Sequence, residues 1–287
     1  MKYLSFIREG HVSYGIAHEA GIHDLGARRE TVLPDLRTYL ESTAAEKAPV
    51  LPTKLATDCT LADVVVAPPI PNPRKIFCIG LNYEDHRNET GRPKTAYPTI
   101  FTRFADTLTG HGAAIRLPSV SKEADFEGEL AVIIGKPGWR VPSERALDIV
   151  AGYACFNDVS LRDWQRHTSQ FTPGKNFPAT APCGPVLVTP DETGDLSRLT
   201  IETRLNGDVM QRASLGDMIF PVSELITYIS SFAQLLPGDI IATGTPGGVG
   251  FMRDPQVFLQ AGDVFEVEIE KVGLLRNTVE DEVAPGR

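Results

Sequence analysis

Long apolar runs are missing from this chain of 287 residues. No stretch reaches the roughly 18 apolar residues that a membrane-spanning helix needs, so we expect no membrane partner. The N-terminal segment MKYLSFIREGH is interrupted by Arg8, Glu9 and His11, whereas a secretory signal needs an apolar centre of about 7–15 residues. We therefore expect a cytoplasmic protein.

Paired cysteines and an excess of positive charge are also absent. Cys59, Cys78, Cys155 and Cys183 form no CxxC pair and no metal-ligand spacing, which indicates reduced thiols. The chain carries 28 basic and 37 acidic residues, for a formal net charge of −9. Because nucleic acids and anionic membranes bind basic surfaces, this balance predicts no nucleic-acid partner. It leaves open an anionic small-molecule substrate, because local charge can oppose net charge.

Short strand-like segments dominate the chain. KIFCIG, ELAVIIGK and VFEVEIEKVGLL are typical of strands, whereas helical patterns are confined to residues 35–47, SERALDIV and FPVSELITYISSFAQ. The Asn206-Gly207 pair predicts a hairpin turn. Residues 1–70 are interpreted as a small N-terminal α/β domain, and the proline-rich VVVAPPIPNPRK as a linker. We predict a strand-dominated α+β fold, with a mixed, rolled or barrel-like sheet over residues 71–287.

Acidic residues alternate in the segment DFEGEL. On a strand, Asp125, Glu127 and Glu129 share one face, where their mutual repulsion is relieved by a divalent cation. An all-oxygen ligand set favours Mg²⁺, Mn²⁺ or Ca²⁺. Asp158, which ends the apolar segment VAGYACFND, is a further candidate ligand. The alternatives are a solvated acidic strand edge and a helix N-cap at Asp158.

A histidine and a lysine are candidates for proton transfer. His86 and Glu89 are three residues apart in GLNYEDHRNE and are neighbours on a helical turn. The carboxylate then orients the imidazole as a general base, unless the two form an ordinary surface pair. Lys175 lies in FTPGKNFP, whose composition suits either a mobile loop that closes over an anionic substrate or a plain connector.

A glycine-rich segment, ATGTPGGVG, covers residues 242–250. Such a segment brings backbone amides close to a ligand. It lacks both the P-loop lysine and the GxGxxG order, which argues against a nucleotide. Capture of a carboxylate and a plain tight turn both remain open.

Six segments in this order resemble the fumarylacetoacetate hydrolase family, and the resemblance covers about residues 70–282. They are GLNYEDHRNETG, DFEGELAVIIGK, GYACFNDVSLRDWQR, FTPGKNFP, LLPGDIIATGTPGGVG and GDVFEVEIEKVGLLRN. The resemblance implies a mixed β-roll catalytic domain, usually a homodimer, with one Mg²⁺ or Mn²⁺ per subunit. Residues 1–70 are similar to the small N-terminal domain of longer bacterial members.

The resemblance also implies roles for individual residues. The implied metal ligands are Glu127, Glu129 and Asp158, with Asp125 as a neighbour of the site. The implied catalytic residues are His86, Glu89 and Lys175. The implied substrate contacts are Arg103, Arg162, Gln165, Gly244 and Thr245.

The function implied by the resemblance is hydrolysis of a C–C bond in a 2,4-dioxo acid, such as an acylpyruvate or fumarylpyruvate, through a metal-stabilised enolate. A small 2-oxo carboxylate is then the substrate, and aromatic catabolism the metabolic setting. The same enolate chemistry supports isomerisation of a 5-carboxymethyl-2-hydroxymuconate-type acid or decarboxylation of oxaloacetate. His86 and Glu89 together favour hydrolysis, because isomerisation needs no activated water. An inactive binding protein is the remaining alternative, which the complete set of polar residues argues against.

Overall fold

The computed structural model describes residues 1–28, 33–47, 51 and 54–282. Strands account for most of the regular structure in that part of the chain, as predicted. The strands are β1 Lys2–Arg8, β2 His11–His18, β3 Gly21–Asp24, β4 Val65–Ala67, β5 Ile76–Gly80, β6 Thr99–Arg103, β7 Leu108–Thr109, β8 Ile115–Leu117, β9 Ala124–Asp125, β10 Gly128–Ile134, β11 Val150–Asn157, β12 Ser160–Leu161, β13 Ala181–Val188, β14 Thr200–Leu205, β15 Asp208–Ser214, β16 Ile240–Ala242, β17 Val264–Ile269 and β18 Gly273–Asp281.

The helices are few and short. The α-helices are α1 Leu36–Ala44, α2 Glu84–Glu89, α3 Arg162–Gln165, α4 Thr172–Lys175, α5 Pro190–Thr193 and α6 Val222–Phe232. The 3₁₀ helices are Leu61–Asp63, Ala105–Thr107, Ser143–Ile149, Leu196–Arg198, Leu215–Asp217 and Gly250–Met252. Within the described ranges, no helix is both long and apolar enough to cross a membrane.

Two large sheets and one short strand pair make up the β-structure. The larger sheet has the order β3-β2-β1-β13-β11-β10-β16-β5-β6, with β4 also on β1 and β7 also on β13. The smaller sheet has the order β15-β14-β17-β18-β8, and β9 pairs with β12. Both parallel and antiparallel pairs occur in the larger sheet. The result is the strand-dominated α+β architecture expected from the sequence.

The larger sheet is buried on both faces at its centre, because β10 is fully buried and its residues 130–134 are all apolar. Leu130 and Val132 pack into a core that includes β17, β18 and α6. Ala131 and Ile133 point to the opposite face, into a second core that includes α1. Alternate side chains of one strand therefore join two cores. This double burial makes the strand a rigid base for the polar residues at its start.

The N-terminal strands extend the larger sheet. Lys2 and Tyr3 pair with Val188 and Leu187 across the junction of β1 and β13. Part of the proline-rich segment expected to be a linker forms β4, which pairs with β1. The backbone pairing across residues 2 and 188 depends on a contact between distant parts of the chain, so local patterns could not reveal it. A domain boundary at residue 70 stays a prediction.

Local predictions are confirmed for the hairpin and for α6, with one correction elsewhere. Asn206 and Gly207 have φ angles of 53° and 92° and connect β14 to β15. The segment SERALDIV forms a 3₁₀ helix instead of the α-helix expected from its pattern. Its buried residues Ala146 and Ile149 are three apart, which is the repeat of a 3₁₀ helix.

Candidate metal centre and active site

Three carboxylates meet where β10 begins and β11 ends. Gly128 and Asn157 pair in register, and the Asp158 N–H donates to the Glu127 carbonyl at 2.8 Å. One carboxylate oxygen from each of Glu127, Glu129 and Asp158 lies within 4.8 Å of the other two. The pairing of the two strands therefore brings together three residues that the sequence predicts as metal ligands.

Buried cations surround this triad. The Lys175 ammonium lies 2.6 Å from Glu127 Oε2 and 2.5 Å from Asp158 Oδ2. Arg162 Nη2 lies 2.6 Å from Glu127 Oε1 and 2.8 Å from Asp125 Oδ2. The short helices α3 and α4 supply these two cations. Their charges compensate the desolvation cost of the carboxylates they touch.

Arg103 supplies a third buried cation behind the triad. Its guanidinium forms an ion pair with Asp158 and donates to the Thr180 hydroxyl at 3.1 Å and the Val159 carbonyl at 2.5 Å. The buried charged group at the site consists of Asp125, Glu127, Glu129, Asp158, Arg103, Arg162 and Lys175. Its four negative and three positive charges give a net charge of −1 when all are ionised.

The two glutamates of the triad have opposite electrostatic environments. Burial alone would raise the pKa of Glu127, but Arg162 and Lys175 outweigh it and hold the pKa well below its ordinary value. Burial, reinforced by Asp158 and Glu127, raises the pKa of Glu129 well above its ordinary value. Glu129 accepts a hydrogen bond from the Gly244 N–H at 2.9 Å. Among the described residues, it has no ion pair with Lys or Arg.

The triad fits a hard divalent cation. All three side chains offer carboxylate oxygens, and each is at least nine-tenths buried. Glu129 carries the charge that the surrounding protein compensates least, so a cation at the triad would favour its ionised form. An oxygen-only set of this kind suits Mg²⁺ or Mn²⁺ better than zinc or copper.

The predicted dyad forms on α2. His86 Nδ1 lies 2.7 Å from Glu89 Oε1, and His86 is 5% exposed. The other carboxylate oxygen of Glu89 accepts from the Gly248 N–H at 2.9 Å. The carboxylate is therefore held on both sides, and it orients the imidazole so that Nε2 remains for another partner. This buried geometry differs from an ordinary surface His–Glu pair.

The glycine-rich segment binds carboxylates of the protein itself. Gly244 N–H donates to Glu129, and Gly248 N–H donates to Glu89. The Gly250 N–H donates to Asp125 at 2.7 Å. Gly244 and Gly248 both have a φ of 98°, in the region that glycine adopts without strain. The amides of this segment therefore hold carboxylates of the protein, and capture of a substrate carboxylate stays a prediction.

A cavity of about 480 Å³ connects the triad with the dyad. The predicted site residues on its wall are His86, Glu127, Glu129, Arg162, Gln165, Lys175 and Thr245. Phe101, Phe171 and Phe251 add aromatic surface to the same wall. A volume of this order is within the usual range for a small-molecule site.

Some residues predicted to contact substrate are engaged with the protein instead. Arg103 and Gly244 lie behind the cavity wall and contact Asp158 and Glu129. Both residues contact metal-ligand candidates, and their expected substrate contacts stay a prediction. Thr245 lines the cavity, but its hydroxyl already donates to the Gly128 carbonyl at 2.9 Å.

Gln165 and Arg162 are arranged together on α3. Arg162 Nη1 donates to the Gln165 side-chain oxygen at 3.0 Å, and both residues line the cavity. The Arg162 guanidinium also lies 4.1 Å from the centre of the Phe251 ring. Arg162 is thus held from three sides, by Asp125, Gln165 and the ring, and presents a fixed cation to the cavity.

Several residues of the site lie outside the sequence predictions. Gln211 donates to the Thr245 hydroxyl at 2.7 Å and accepts from the Gly128 N–H at 3.0 Å. It belongs to an ordinary hairpin strand, which carries no local signal of function. Arg92 and Arg166 line the cavity. Arg92 directly follows the motif GLNYEDHRNETG, and Arg166 is the last residue of GYACFNDVSLRDWQR. Their positions in and next to these motifs were the signal that could have found them.

The family follows from a comparison with known families. A model of the fumarylacetoacetate (FAA) hydrolase C-terminal domain matches residues 75–280, which is most of the chain. The chain belongs to the fumarylacetoacetate hydrolase family. This confirms the resemblance drawn from the sequence motifs, and it identifies the protein as an enzyme of that family.

Curated relatives in the family include oxaloacetate tautomerases. The chain is 41% identical to the mitochondrial oxaloacetate tautomerase FAHD2A of Bos taurus over 274 residues, covering 94% of this chain and 87% of the relative. It is 44% identical to oxaloacetate tautomerase YisK of Bacillus subtilis (strain 168) over 224 residues, covering 77% of this chain and 74% of the relative.

Solved structures share the complete fold. Fumarylacetoacetate hydrolase from Exiguobacterium antarcticum has a TM-score of 0.83 and 33% identity, covering 98% of this chain and 100% of that chain. Maleylpyruvate hydrolase from Sphingobium sp. SYK-6, in complex with manganese(II) and pyruvate, has a TM-score of 0.77 and 26% identity, covering 99% of this chain and 100% of that chain. Both structural matches extend over nearly the whole chain, beyond the residues matched by the family model.

Proposed function

We propose that this enzyme interconverts the keto and enol forms of a small 2-oxo dicarboxylate, with oxaloacetate as the first substrate to test. The observation that carries the proposal is one cavity lined by His86 of the His86–Glu89 dyad and by two members of the carboxylate triad, Glu127 and Glu129. Tautomerisation needs one group that moves a proton at carbon and a second that stabilises charge on oxygen. The names of the two tautomerase relatives support this choice of reaction.

The candidate cofactor is one Mg²⁺ or Mn²⁺ per subunit. Glu127, Glu129 and Asp158 would hold it, and when bound it would supply Lewis-acid stabilisation of negative charge on the substrate oxygens. The manganese in the related maleylpyruvate hydrolase supports this choice.

The two proton transfers of the tautomerisation are assigned to two different side chains. In the keto-to-enol direction, His86 Nε2 accepts a proton from the carbon beside the keto group, while Glu89 holds the opposite ring nitrogen. The C–H electron pair becomes the new C=C bond, and the keto oxygen gains a proton. The Lys175 ammonium lines the same cavity and is the proposed donor of that proton. The reverse direction returns both protons.

C–C bond hydrolysis of an acylpyruvate is the second candidate. It is favoured by the same dyad, because a carboxylate-oriented imidazole beside a cavity suits removal of a proton from water. The likeness to a protein named as a maleylpyruvate hydrolase also supports it. In this version the hydroxide attacks the distal carbonyl, the C–C bond breaks, and its electron pair passes to the pyruvate enolate.

The test follows freshly dissolved enol oxaloacetate by ultraviolet absorbance and its products by NMR, with Mg²⁺ or Mn²⁺ and with metal-only controls. The wild type is expected to accelerate enol loss beyond the metal-only rate without releasing CO₂. His86→Ala and Glu89→Gln are expected to lower that rate by at least about 100-fold. Arg87→Gln, a charge change on the same helix and outside the cavity, is the control.

Other outcomes assign other functions. Pyruvate and CO₂ from oxaloacetate indicate decarboxylation, and pyruvate plus a second acid from an acylpyruvate indicate hydrolysis. A shifted double bond in 5-carboxymethyl-2-hydroxymuconate indicates isomerisation. A wild type no faster than metal alone on oxaloacetate refutes the tautomerase proposal, and full activity in His86→Ala refutes the role of the dyad.

We further propose a cytoplasmic homodimer with a role in aromatic catabolism and with no nucleic-acid or membrane partner. The usual dimeric state implied by the family resemblance and the acidic net charge of −9 support these statements. Light scattering after size-exclusion chromatography tests the dimer, which predicts about twice the chain mass of 31.3 kDa.

A further inference from the structure

We propose that Arg92 determines substrate specificity by binding the second carboxylate of the substrate, at the end remote from the metal centre. The inference rests on the proposed function in one respect, namely that a 2-oxo acid head lies at the triad. It adds the class of the substrate tail, which is anionic and not apolar. It also assigns a role to a residue that neither the motifs nor the carboxylate network explains.

Four cations line the cavity, and three of them already have carboxylate partners. Arg162 and Lys175 contact Glu127, and Arg166 lies 2.5 Å from Glu123. Arg92 lines the same cavity. Among residues 1–28, 33–47, 51 and 54–282, no Asp or Glu forms an ion pair with it. Its charge is therefore available to an anion that enters from solvent.

The backbone of Arg92 is fixed although its side chain has no carboxylate partner in the described ranges. The Arg92 N–H donates to the Arg87 carbonyl at 3.2 Å, and Arg87 Nη1 donates to the Arg92 carbonyl at 2.9 Å. These contacts join Arg92 to the end of α2, the helix that carries the His86–Glu89 dyad. A cation tied to this helix keeps its place relative to the dyad.

The position of Arg92 suits the outer end of a bound molecule. Arg92 is exposed, whereas Glu127 and Glu129 on the same cavity wall are buried. A substrate whose head reaches the buried carboxylates leaves its other end near the exposed part of the wall. A planar guanidinium binds a carboxylate through two parallel hydrogen bonds. A second carboxylate at that end thus has a suitable partner in Arg92.

The test compares Arg92→Gln with Arg116→Gln, a matched control that removes one charge from an arginine outside the cavity that is paired with Glu280. The kinetic readout is the ratio of kcat/KM for oxaloacetate to kcat/KM for 2-oxobutyrate, which has the same head and no second carboxylate. Arg92→Gln is expected to lower this ratio about tenfold, chiefly through KM, which corresponds to loss of one charge-assisted interaction. Arg92→Lys should recover part of it.

A binding experiment separates this inference from the proposed reaction. Calorimetry of Mn²⁺-loaded protein compares malate with lactate, which share a 2-hydroxy acid head and differ in the second carboxylate. Wild type and Arg116→Gln are expected to prefer malate, and Arg92→Gln to lose about tenfold of that preference. Unchanged malate preference in Arg92→Gln overturns the inference. If the wild type is inactive on oxaloacetate but its preference for malate still depends on Arg92, only the proposed reaction is refuted.

Discussion

Glu127 and Glu129 belong to one candidate metal centre, yet their replacement by glutamine is expected to change the stability of the metal-free protein by different amounts. Glu127 contacts both Arg162 and Lys175. Removing its charge leaves two buried cations with one partner fewer, and breaking a buried ion pair in this way costs about 3–5 kcal/mol. We therefore expect Glu127→Gln to lower the free energy of unfolding by about that amount.

Glu129→Gln should be nearly neutral in the absence of metal. Burial and the neighbouring carboxylates raise the pKa of Glu129 well above its ordinary value, so the folded protein disfavours its charged form. An amide keeps the shape of the neutral carboxyl group and an oxygen for the Gly244 N–H, which lies 2.9 Å from the carboxylate. The expected change in the free energy of unfolding is within about 1 kcal/mol.

Addition of metal should make the wild type more stable than Glu129→Gln. At about 100 times its Kd, a bound ion stabilises the wild type by about 2.7 kcal/mol, or about 4–5 °C in Tm for a chain of this size. Glu129→Gln should lose most of that gain, because it lacks one of the three ligand charges.

The assay is urea and thermal unfolding with EDTA or with Mn²⁺, at one fixed protein concentration. The reasoning fails if Glu129→Gln destabilises the metal-free protein as much as Glu127→Gln does. It also fails if Glu129→Gln keeps the full metal-dependent rise in Tm.

Three further predictions concern the backbone and the thiols. Gly250→Ala should lower the free energy of unfolding by about 3 kcal/mol or more in a urea titration, because the new Cβ would lie 1.8 Å from the Val257 carbonyl oxygen. Gly207→Ala, in an open turn with a φ of 92°, should cost only about 1 kcal/mol in the same titration; equal losses would contradict the steric argument. Burial raises the pKa of Cys183 to about 12 and also raises that of Cys155. A thiol reagent such as DTNB should therefore label the native protein slowly and the unfolded protein rapidly. Fast labelling of the native protein would contradict this.

The sequence predicted those parts of the fold that depend on local geometry. The hairpin at Asn206-Gly207 follows from two residues that accept positive φ. The buried strand β10 follows from its apolar run. The attachment of β1 to β13 could not be predicted in this way, because it depends on which exposed strand edges meet after the chain has folded.

The candidate site was predictable in its types of residue but less so in its contacts. Alternating acidic residues indicated the triad, and a spacing of three indicated the His86–Glu89 dyad. Arg103 was expected to face the substrate, yet it pairs with Asp158, which is 55 residues away in sequence. A sequence shows that a cation is present, but not whether a carboxylate of the protein has already neutralised it.

The charge of the site explains how an acidic protein can favour an anionic substrate. The buried group around the triad has a net charge of −1 when fully ionised, so one divalent ion would change it to +1. Arg92 adds an exposed positive charge on the same cavity wall. Because charges inside a partly closed cavity interact through a lower dielectric than charges on the open surface, this local balance outweighs the distant surface charges that make up the net −9. On the proposed function, the chain would combine an acidic surface with a cavity that selects anions once a metal is bound.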